Sequence, residues 1–379
     1  MKEVRTYGRE DSFVKKELKV TAEWLEELKN VPEFWKGSLE DIEEVLSTIK
    51  RGRVTLGCKS AGGRNVYMVE YGERNQLNRT ATYSSATCVN HKDIDCYADK
   101  KREGVKPCLF LIGCVHGAEF EGTVSLLNLI HLLETGKDFL GNENSLLLEM
   151  AQKLHLIIVP CANPDGRARF PYKTVHGLSF ESFRYFAQGT WKNGELCGHP
   201  GCKKYHPILE YSDFLGCYFN DNGINIQHDV ILPMAEETKF LMEVAQEFAP
   251  DIIVNIHGAT DCAGHIIDSS MMPQKLRDEV VRFEWKLNTT FAKENYKYNL
   301  IPKSIKTNEN FYEWNLTGAL HLCCGGISVT YESNQGVSHA PGHPNTEVLS
   351  FEGIYRTHIL LYQELYKYVI DIFEKRKKE

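Results

Sequence analysis

The stretch CLFLIGCVHGAEFEGTVSLLNLIHLLET, residues Cys108–Thr135, decides the fold. Its first part, Cys108–Val115, is almost continuously apolar, which predicts a strand buried on both faces. The segment Glu121–Thr135 has apolar residues at helical spacing and predicts a helix packed against that strand. A turn that carries His116 and Glu119 separates the two. A buried strand followed by an amphipathic helix is the unit from which parallel α/β folds are built.

The same alternation of buried strands and amphipathic helices continues along the chain. From Arg53, two strand-like runs around a Gly-Gly turn predict a hairpin. Further strands are predicted at Leu154–Pro160, Asp251–His257 and Gly326–Glu332, and helices at Met234–Phe248 and about 345–375. This pattern predicts an α/β fold with a parallel or mixed sheet covered on both faces.

Two regions stand apart from this body. Residues 1–50 contain helical spacing around Trp24 and again from Leu39, after Ser38 as a helix N-cap, and predict an N-terminal helical extension. Residues 51–379 would then form one domain, of the size of a catalytic domain. Within it, residues 74–106 are polar and aperiodic, which predicts a surface insertion.

Composition excludes several classes of function. The chain is 42% hydrophobic and 25% charged, as in soluble globular proteins. A formal net charge of -7 argues against nucleic-acid binding, so we expect peptides or small molecules as partners. No apolar run approaches the roughly 18 residues that would predict a membrane span.

The charged N-terminus lacks the apolar core of a signal peptide, and the twelve cysteines are interpreted as mostly free thiols. Both observations predict a cytoplasmic protein. The alternative is a secreted, disulfide-bonded chain whose leader has been removed.

Polar residues follow three of the predicted strands at the ends where ligands bind in such sheets. His116 and Glu119 follow the first strand, His257 ends DIIVNIH, and Glu332 ends GISVTYE. Each alone is a common loop residue. Together, two imidazoles and a carboxylate are the donor set of a catalytic zinc site, with a further carboxylate at Glu332 as general base. This set predicts metal-assisted amide hydrolysis, because such an ion lowers the pKa of water from 15.7 to about 7.

The order of these residues resembles that of the zinc metallocarboxypeptidases of the carboxypeptidase A type. His116-x-x-Glu119 is followed by NPDG at Asn163–Gly166, then by GINIQHD, by the strand-end His257 and by TYES. The intervals are of the size that family shows. The opening hairpin, with Gly57, Ser60 and Gly63-Arg64, is also similar to that family's first two strands.

The resemblance implies a single α/β/α domain with a mixed, mostly eight-stranded twisted sheet. It also implies one catalytic Zn²⁺, with His116, Glu119 and His257 as ligands and Glu332 as general base. The expected activity is hydrolysis of a C-terminal amide bond of a peptide or peptide-like substrate.

The sequence departs from that family where the substrate carboxylate is bound by an Asn-Arg pair. Aligned on Gly223, GINIQHDV places Gln227 and His228 there. A histidine is charged only around or below its usual pKa near 6.5, whereas arginine is a permanent two-pronged donor. Either other cations bind the carboxylate, or the substrate presents another group, as in a nonstandard cell-wall peptide.

The family also uses an arginine after a tryptophan at the oxyanion and a tyrosine on a loop. The corresponding candidates are Lys192, which follows Trp191, or Arg184 for the oxyanion, and Tyr312 for the substrate. Plain surface or packing roles are the alternative for each. We expect a cation at the oxyanion because electrostatic stabilisation there is a large catalytic contribution.

A second group of metal-type residues occurs in CGHPGCKKYH, namely Cys197, His199, Cys202 and His206. Its compression into ten residues is unlike structural zinc sites, so a structural metal, a Cys197–Cys202 disulfide and an ordinary loop all stay open.

Two other functions compete with the peptidase. One is a zinc amidohydrolase of N-acyl amino acids, similar to desuccinylases and aspartoacylase, which would use Arg167 and Arg169 after NPDG. The other is a noncatalytic binding protein that kept the fold. The intact ligand set and Glu332 argue against that third reading, because binding alone needs no water-activating base.

Overall fold

The computed structural model describes residues 3–5, 18–20, 30–77, 98–258, 260–301, 314–337 and 348–378. The elements of these residues, in chain order, are β1 (Glu3–Arg5), β2 (Leu18–Val20), α1 (Leu39–Ser47), β3 (Arg53–Lys59), β4 (Asn65–Tyr71), β5 (Cys108–Gly113), α2 (Glu121–Thr135), α3 (Ser145–Ala151), β6 (His155–Val159), α4 (Pro164–Arg169), α5 (Phe180–Gln188), β7 (Gly189–Trp191), β8 (Ser212–Leu215), α6 (Glu236–Phe248), β9 (Ile252–Gly258), β10 (Gly264–Ile267), α7 (Gln274–Lys293), α8 (Leu316–Cys324), β11 (Ile327–Ser333) and α9 (Phe351–Lys378). Short 3₁₀ turns lie at Gly201–Lys203 and Ile226–His228.

The main sheet has the strand order β10-β11-β9-β5-β6-β4-β3. The four central strands, β11, β9, β5 and β6, run parallel, and β10, β4 and β3 are antiparallel to their neighbours. The mixed α/β prediction is therefore confirmed. Within the described ranges the main sheet has seven strands, where the resemblance implied mostly eight, because β7 and β8 pair with each other in a separate two-stranded sheet.

Strand β5 shows why the sheet is covered on both faces. All six of its residues are buried. Since successive side chains point to opposite faces, Leu109 and Leu111 join one core with residues of α2 and α9, while Phe110 and Ile112 join another with residues of α6 and α8. Burying each such side chain stabilises the fold by about 1.5–3 kcal/mol. These two cores make the α/β/α arrangement that the sequence predicted.

Helix α1 belongs to the larger of these cores. Ser38 caps it by accepting from the backbone N–H of Asp41, whose carboxylate accepts from the N–H of Ser38. The buried residues of α1 include Ile42 and Val45, which join the core that contains α2. The earlier predicted helix around Trp24 lies outside the described residues, so the separate extension at 1–50 stays a prediction.

A buried ionic cluster lies at the amino end of β9. Asp251 is fully buried and accepts from the N–H of Cys108 at 2.8 Å. Its two oxygens also pair with Lys100 Nζ at 3.4 Å and with an Arg376 guanidinium nitrogen at 2.8 Å. Because Arg376 is on α9, this carboxylate joins the last helix, the end of the insertion and the sheet.

The described helices include none that is long and apolar enough to cross a membrane. Of the predicted insertion at 74–106, residues 78–97 lie outside the described part.

Candidate metal centre and active site

Two segments meet at the carboxyl end of the parallel strands. His116 and Glu119 lie in the turn between β5 and α2, and His257 is the next-to-last residue of β9. Because β5 and β9 are adjacent and parallel, their carboxyl ends lie side by side. This explains how residues 141 positions apart in the chain come into contact.

Backbone and side-chain bonds hold the β5–α2 turn in place. Cys114 has a positive φ of 53°, a left-handed conformation that is strained for a residue with a side chain. Asn163, from the NPDG segment, donates its backbone N–H to the Cys114 carbonyl at 3.0 Å and its side-chain amide to the Val115 carbonyl at 3.2 Å. The strained turn is therefore fixed by its neighbour before any ligand binds.

The donor atoms of the three side chains converge. Glu119 Oε2 is 3.1 Å from His116 Nδ1 and 2.9 Å from His257 Nδ1, and the two Nδ1 atoms are 3.2 Å apart. Among the residues that the structure describes, this is the one group of three or more His, Cys, Asp or Glu whose ligand atoms lie within 4.8 Å of one another. All three residues are buried.

Burial and mutual contact shift the pKa values of these groups. Burial lowers the pKa of His116 below 6.5. Burial alone would raise the pKa of Glu119, but contacts with His116 and His257 lower it, so the carboxylate is ionised. Burial likewise opposes the charged form of His257, but the hydrogen bond and charge of Glu119 raise its pKa. The centre is therefore an ionised Glu119 carboxylate between two imidazole rings, with a lowered pKa at His116 and a raised pKa at His257.

The donor set fits zinc. A carboxylate oxygen and two imidazole nitrogens are common zinc ligands, and three protein ligands are what catalytic zinc sites use. His116 Nε2 lies 3.3 Å from Asn225 Oδ1, which can only accept, so Nε2 carries the hydrogen and Nδ1 presents its lone pair toward Glu119 and His257. The tautomer of His116 is thus the one that a metal at this point requires.

Glu332 lies beside this centre. In the register of the sheet it pairs with His257 of β9 on one side and with His265 of β10 on the other. Its side chain is half-buried, and its charge is one of those that raise the pKa of His257. The strand-end carboxylate that the sequence indicated is therefore next to the ligand group.

Two residues at the centre were not predicted. Tyr218 stacks on the His116 ring with centroids 3.9 Å apart and planes 9° from parallel. Asn225 contacts His116 as described above and also accepts from the N–H of Gln227 at 3.0 Å. Asn225 lies in the quoted GINIQHD segment, shortly before the two substrate-binding candidates. That position could have identified it as a candidate site residue. No pattern in the sequence indicated Tyr218.

The two candidates for binding a substrate carboxylate lie in and around the Ile226–His228 turn. Gln227 is buried, and its Oε1 accepts from Asn255 Nδ2 of β9 at 2.8 Å. Burial, followed by the charge of Lys203, lowers the pKa of His228 to about 3. His228 is therefore neutral at physiological pH, and neither residue brings a positive charge.

The candidates for the oxyanion have other contacts. Lys192 is exposed, at the end of β7, and Arg184 lies over the Phe180 ring with its Nε 3.4 Å from Gln188 Oε1. No described contact joins Lys192 or Arg184 to the ligand group, and their catalytic roles stay predictions. Tyr312 lies outside the described residues.

The two arginines that an N-acyl amino acid hydrolase would need are used within the fold. Arg167 is buried over the Phe120 ring and donates to three backbone carbonyls, those of Gly37, Phe170 and Tyr172. Arg169 donates to the carbonyls of Gly216 and Phe219 and pairs with Asp221 at 2.6 Å. These contacts favour structural roles for both guanidinium groups.

The CGHPGCKKYH segment does not form a second metal centre in the described structure. Cys197 and Cys202 are free thiols, as are the other cysteines that the structure describes, and this set does not meet as a ligand group. Instead His206 Nε2 accepts from the N–H of Asn225 at 3.2 Å. The segment is therefore a loop packed beside the ligand group.

Gly117, between the first two ligand candidates, touches the backbone of the NPDG segment. A Cβ at this position would lie 2.0 Å from the carbonyl carbon of Gly166. The next residue, Ala118, is fully buried. A side chain at Gly117 would therefore have to displace that backbone.

Comparisons with solved structures show similarity in fold. The chain is similar in fold to a metallo-carboxypeptidase from Burkholderia cenocepacia, with 13% identity, a TM-score of 0.54 and coverage of 88% of this chain and 70% of the other. It is also similar to carboxypeptidase A from Helicoverpa armigera, with 15% identity, a TM-score of 0.54 and coverage of 96% and 84%.

The comparison with curated proteins gave no match. The model of the family described as "Zinc carboxypeptidase", however, matches residues 46–315, which is more than half of the chain. The protein therefore belongs to the zinc carboxypeptidase family and is a metallocarboxypeptidase-type hydrolase that uses one catalytic zinc.

Proposed function

We propose that the protein releases the C-terminal residue of a peptide or peptide-like substrate. His116, Glu119 and His257 would hold the zinc, and Glu332 would be the general base. The observation that carries this proposal is the buried group of three converging donors with Glu332 in register beside His257. Family membership supplies the reaction class, and this geometry supports the proposed roles of the four residues.

The residues divide the chemistry among them. When bound, zinc supplies a Lewis acid and lowers the pKa of water from 15.7 to about 7. Glu332, half-buried at the end of β11, accepts a proton from the attacking water and later gives it to the departing amine. Asn225 holds the ring of His116 in one tautomer and orientation, as outer partners of ligand histidines generally do.

A substrate panel tests this assignment. The zinc-loaded protein is incubated with peptides that differ in their C-terminal residue, cell-wall-type peptides included, and with N-acyl amino acids. We expect release of C-terminal amino acids and little hydrolysis of the N-acyl amino acids, because Arg167 and Arg169 are committed to backbone carbonyls and to Asp221. Faster hydrolysis of N-acyl amino acids than of peptides would favour the amidohydrolase instead.

The variant Glu332→Gln isolates the general base. We expect a loss of about 10²–10⁴ in kcat with one zinc per chain retained, since a general base contributes about that factor. Glu352→Gln, at an exposed position in the first turn of α9, is the matched control and keeps full activity. If the wild type releases nothing and Glu332→Gln behaves identically, the peptidase proposal is wrong.

A further inference from the structure

The ring of Tyr218 covers one face of the His116 imidazole. The centroids of the two rings are 3.9 Å apart, and their planes are 9° from parallel. The His257 ring meets His116 in a second contact, with centroids 4.7 Å apart and planes at 77°. Because both partners lie at van der Waals distance, the His116 ring cannot rotate without moving one of them.

Tyr218 is itself held in place by its backbone. It is 8% exposed, and its N–H donates to the Ala187 carbonyl at 2.8 Å. The carbonyl of the preceding residue, Cys217, accepts from the N–H of Gly117 at 2.8 Å. Gly117 directly follows His116 in the chain. The segment that carries Tyr218 is therefore hydrogen-bonded to the turn that carries His116, and this bond supports the contact between the two rings.

The parallel arrangement of these rings favours a positively charged imidazole. Two neutral aromatic rings prefer an offset or edge-on arrangement, because their negative faces repel each other. An imidazole that donates a lone pair to a cation becomes electron-poor, and its face is then attracted to the electron-rich face of a phenol ring. The stack should therefore stabilise His116 more with a cation bound than without one.

We propose that Tyr218 is a positioning residue of the metal centre, and that its ring, stacked on His116, raises the affinity of the ligand group for zinc. This inference rests on the proposed function, which makes His116 a zinc ligand. Tyr218 acts through the His116 ring and needs no contact with the metal or with the substrate.

Zinc affinity, measured by chelator competition, tests this role without relying on turnover. Tyr218→Leu and Tyr218→Met both remove the ring and leave an apolar side chain in its place. We expect each to bind zinc about threefold to tenfold more weakly than the wild type, because an aromatic pair contributes about that factor. Tyr218→Phe keeps the ring and should retain most of the affinity.

The matched control is Tyr185→Leu. Tyr185 is 5% exposed and stacks on Phe214, with centroids 4.5 Å apart and planes 7° from parallel. The substitution thus removes a buried, stacked tyrosine outside the ligand group. We expect it to lower stability and to leave zinc affinity per folded chain unchanged.

A cobalt spectrum separates positioning from a general effect on the fold. Co²⁺ replaces Zn²⁺ as the probe, because its visible absorption bands depend on the geometry of its ligands. We expect the wild type and Tyr218→Phe to share one spectrum, and Tyr218→Leu and Tyr218→Met to have shifted bands. A purely structural role for Tyr218 would lower stability and leave the spectrum unchanged.

The metal-free wild type provides a test that needs no folded Tyr218 variant. In histidine-labelled protein, the ring protons of His116 should resonate upfield of those of exposed histidines, because they lie over the Tyr218 ring. Loss of this signal in His116→Gln assigns it. Absence of the upfield shift would overturn the proposal.

The affinities can overturn it as well. The proposal is wrong if Tyr218→Leu and Tyr218→Met bind zinc like the wild type, or if Tyr218→Phe loses as much affinity as they do. It is also wrong if Tyr185→Leu weakens zinc binding equally, or if His116→Gln leaves zinc affinity unchanged. If zinc affinity follows the Tyr218 ring but the wild type cleaves no peptide, the positioning role stands and the proposed function fails.

Discussion

Strand β9 has a buried acid near each of its ends, and the two acids are compensated differently. At the amino end, Asp251 has two cationic partners and a backbone N–H within the protein. At the carboxyl end, Glu119 contacts two imidazoles and the N–H of Gly258 at 3.3 Å. The charge of Asp251 is compensated by partners within the protein, whereas the group around Glu119 has converging ligand atoms that could hold a cation. We therefore expect the contacts at the amino end to contribute mainly to stability and the donors at the carboxyl end to bind a cation.

The largest expected effect comes from removing a donor at the carboxyl end. His257→Ala leaves two of the three protein ligands, so we expect zinc content near zero and peptidase activity at background. Metal analysis and release of amino acids measure this. The matched change is His176→Ala, because this half-buried imidazole is on a loop and bonds the carbonyl of Leu349 outside the ligand group. Retained zinc in His257→Ala would contradict the ligand assignment.

The opposite result is expected at the amino end. Asp251→Asn leaves Lys100, which is 3% exposed, and Arg376 without their anion, and should lower the free energy of unfolding by about 3–5 kcal/mol. Zinc content per folded chain should not change. Denaturant unfolding provides the measurement, and Asp371→Asn, exposed on the same helix as Arg376, is the control. Equal stability of the two variants would remove the contrast between the ends of β9.

A smaller effect is expected at Asn225, which contacts the ligand candidate His116. Asn225→Ala removes the acceptor for His116 Nε2 and should weaken zinc binding about 10–100-fold, as removal of outer partners typically does. Asn225→Asp should strengthen it, since a carboxylate makes the ring a better donor of electrons to the metal. Chelator competition gives both values. Asn222→Ala, exposed in the same loop, should bind zinc like the wild type.

The smallest effect is a dependence on pH. Without metal, contact with Glu119 raises the pKa of His257 above 6.5, so protonated His257 stabilises the metal-free fold below pH 6.5, and this is lost as pH rises through the raised value. Zinc requires the neutral ring and must displace that proton. Its affinity should therefore fall about tenfold per pH unit below that raised pKa. Competition titrations between pH 6 and 8 measure this slope, and a flat profile would contradict it.

The contrast between the ends of β9 also shows which contacts could be anticipated from the sequence. His116, Glu119, His257 and Glu332 follow strands whose apolar runs are clear in the sequence, and parallel strands bring such ends together. The bounds of α2 were predicted for the same reason, because its apolar spacing is regular. Elements with a strong periodic signal thus predicted that these four residues would lie close together.

Predictions failed or stayed open for side chains whose positions depend on tertiary contacts alone. His206 lies on a loop that is held by its bond to Asn225, which no periodic pattern encodes. Arg167 looked available for a substrate because the sequence does not reveal that Phe120 and three carbonyls surround its guanidinium. Asp251 likewise gave no signal, since its partners come from distant parts of the chain.

The contact of Gly117 with the NPDG backbone restricts how this enzyme can change during evolution. With no space at that glycine, a side chain cannot be added there without displacing the segment that supports the ligand candidates. We expect variation to be tolerated more readily on the surface loops around the carboxyl ends of the strands. The catalytic centre and the determinants of substrate choice can therefore diversify at separate rates, and libraries intended to redirect the enzyme should vary the loops first.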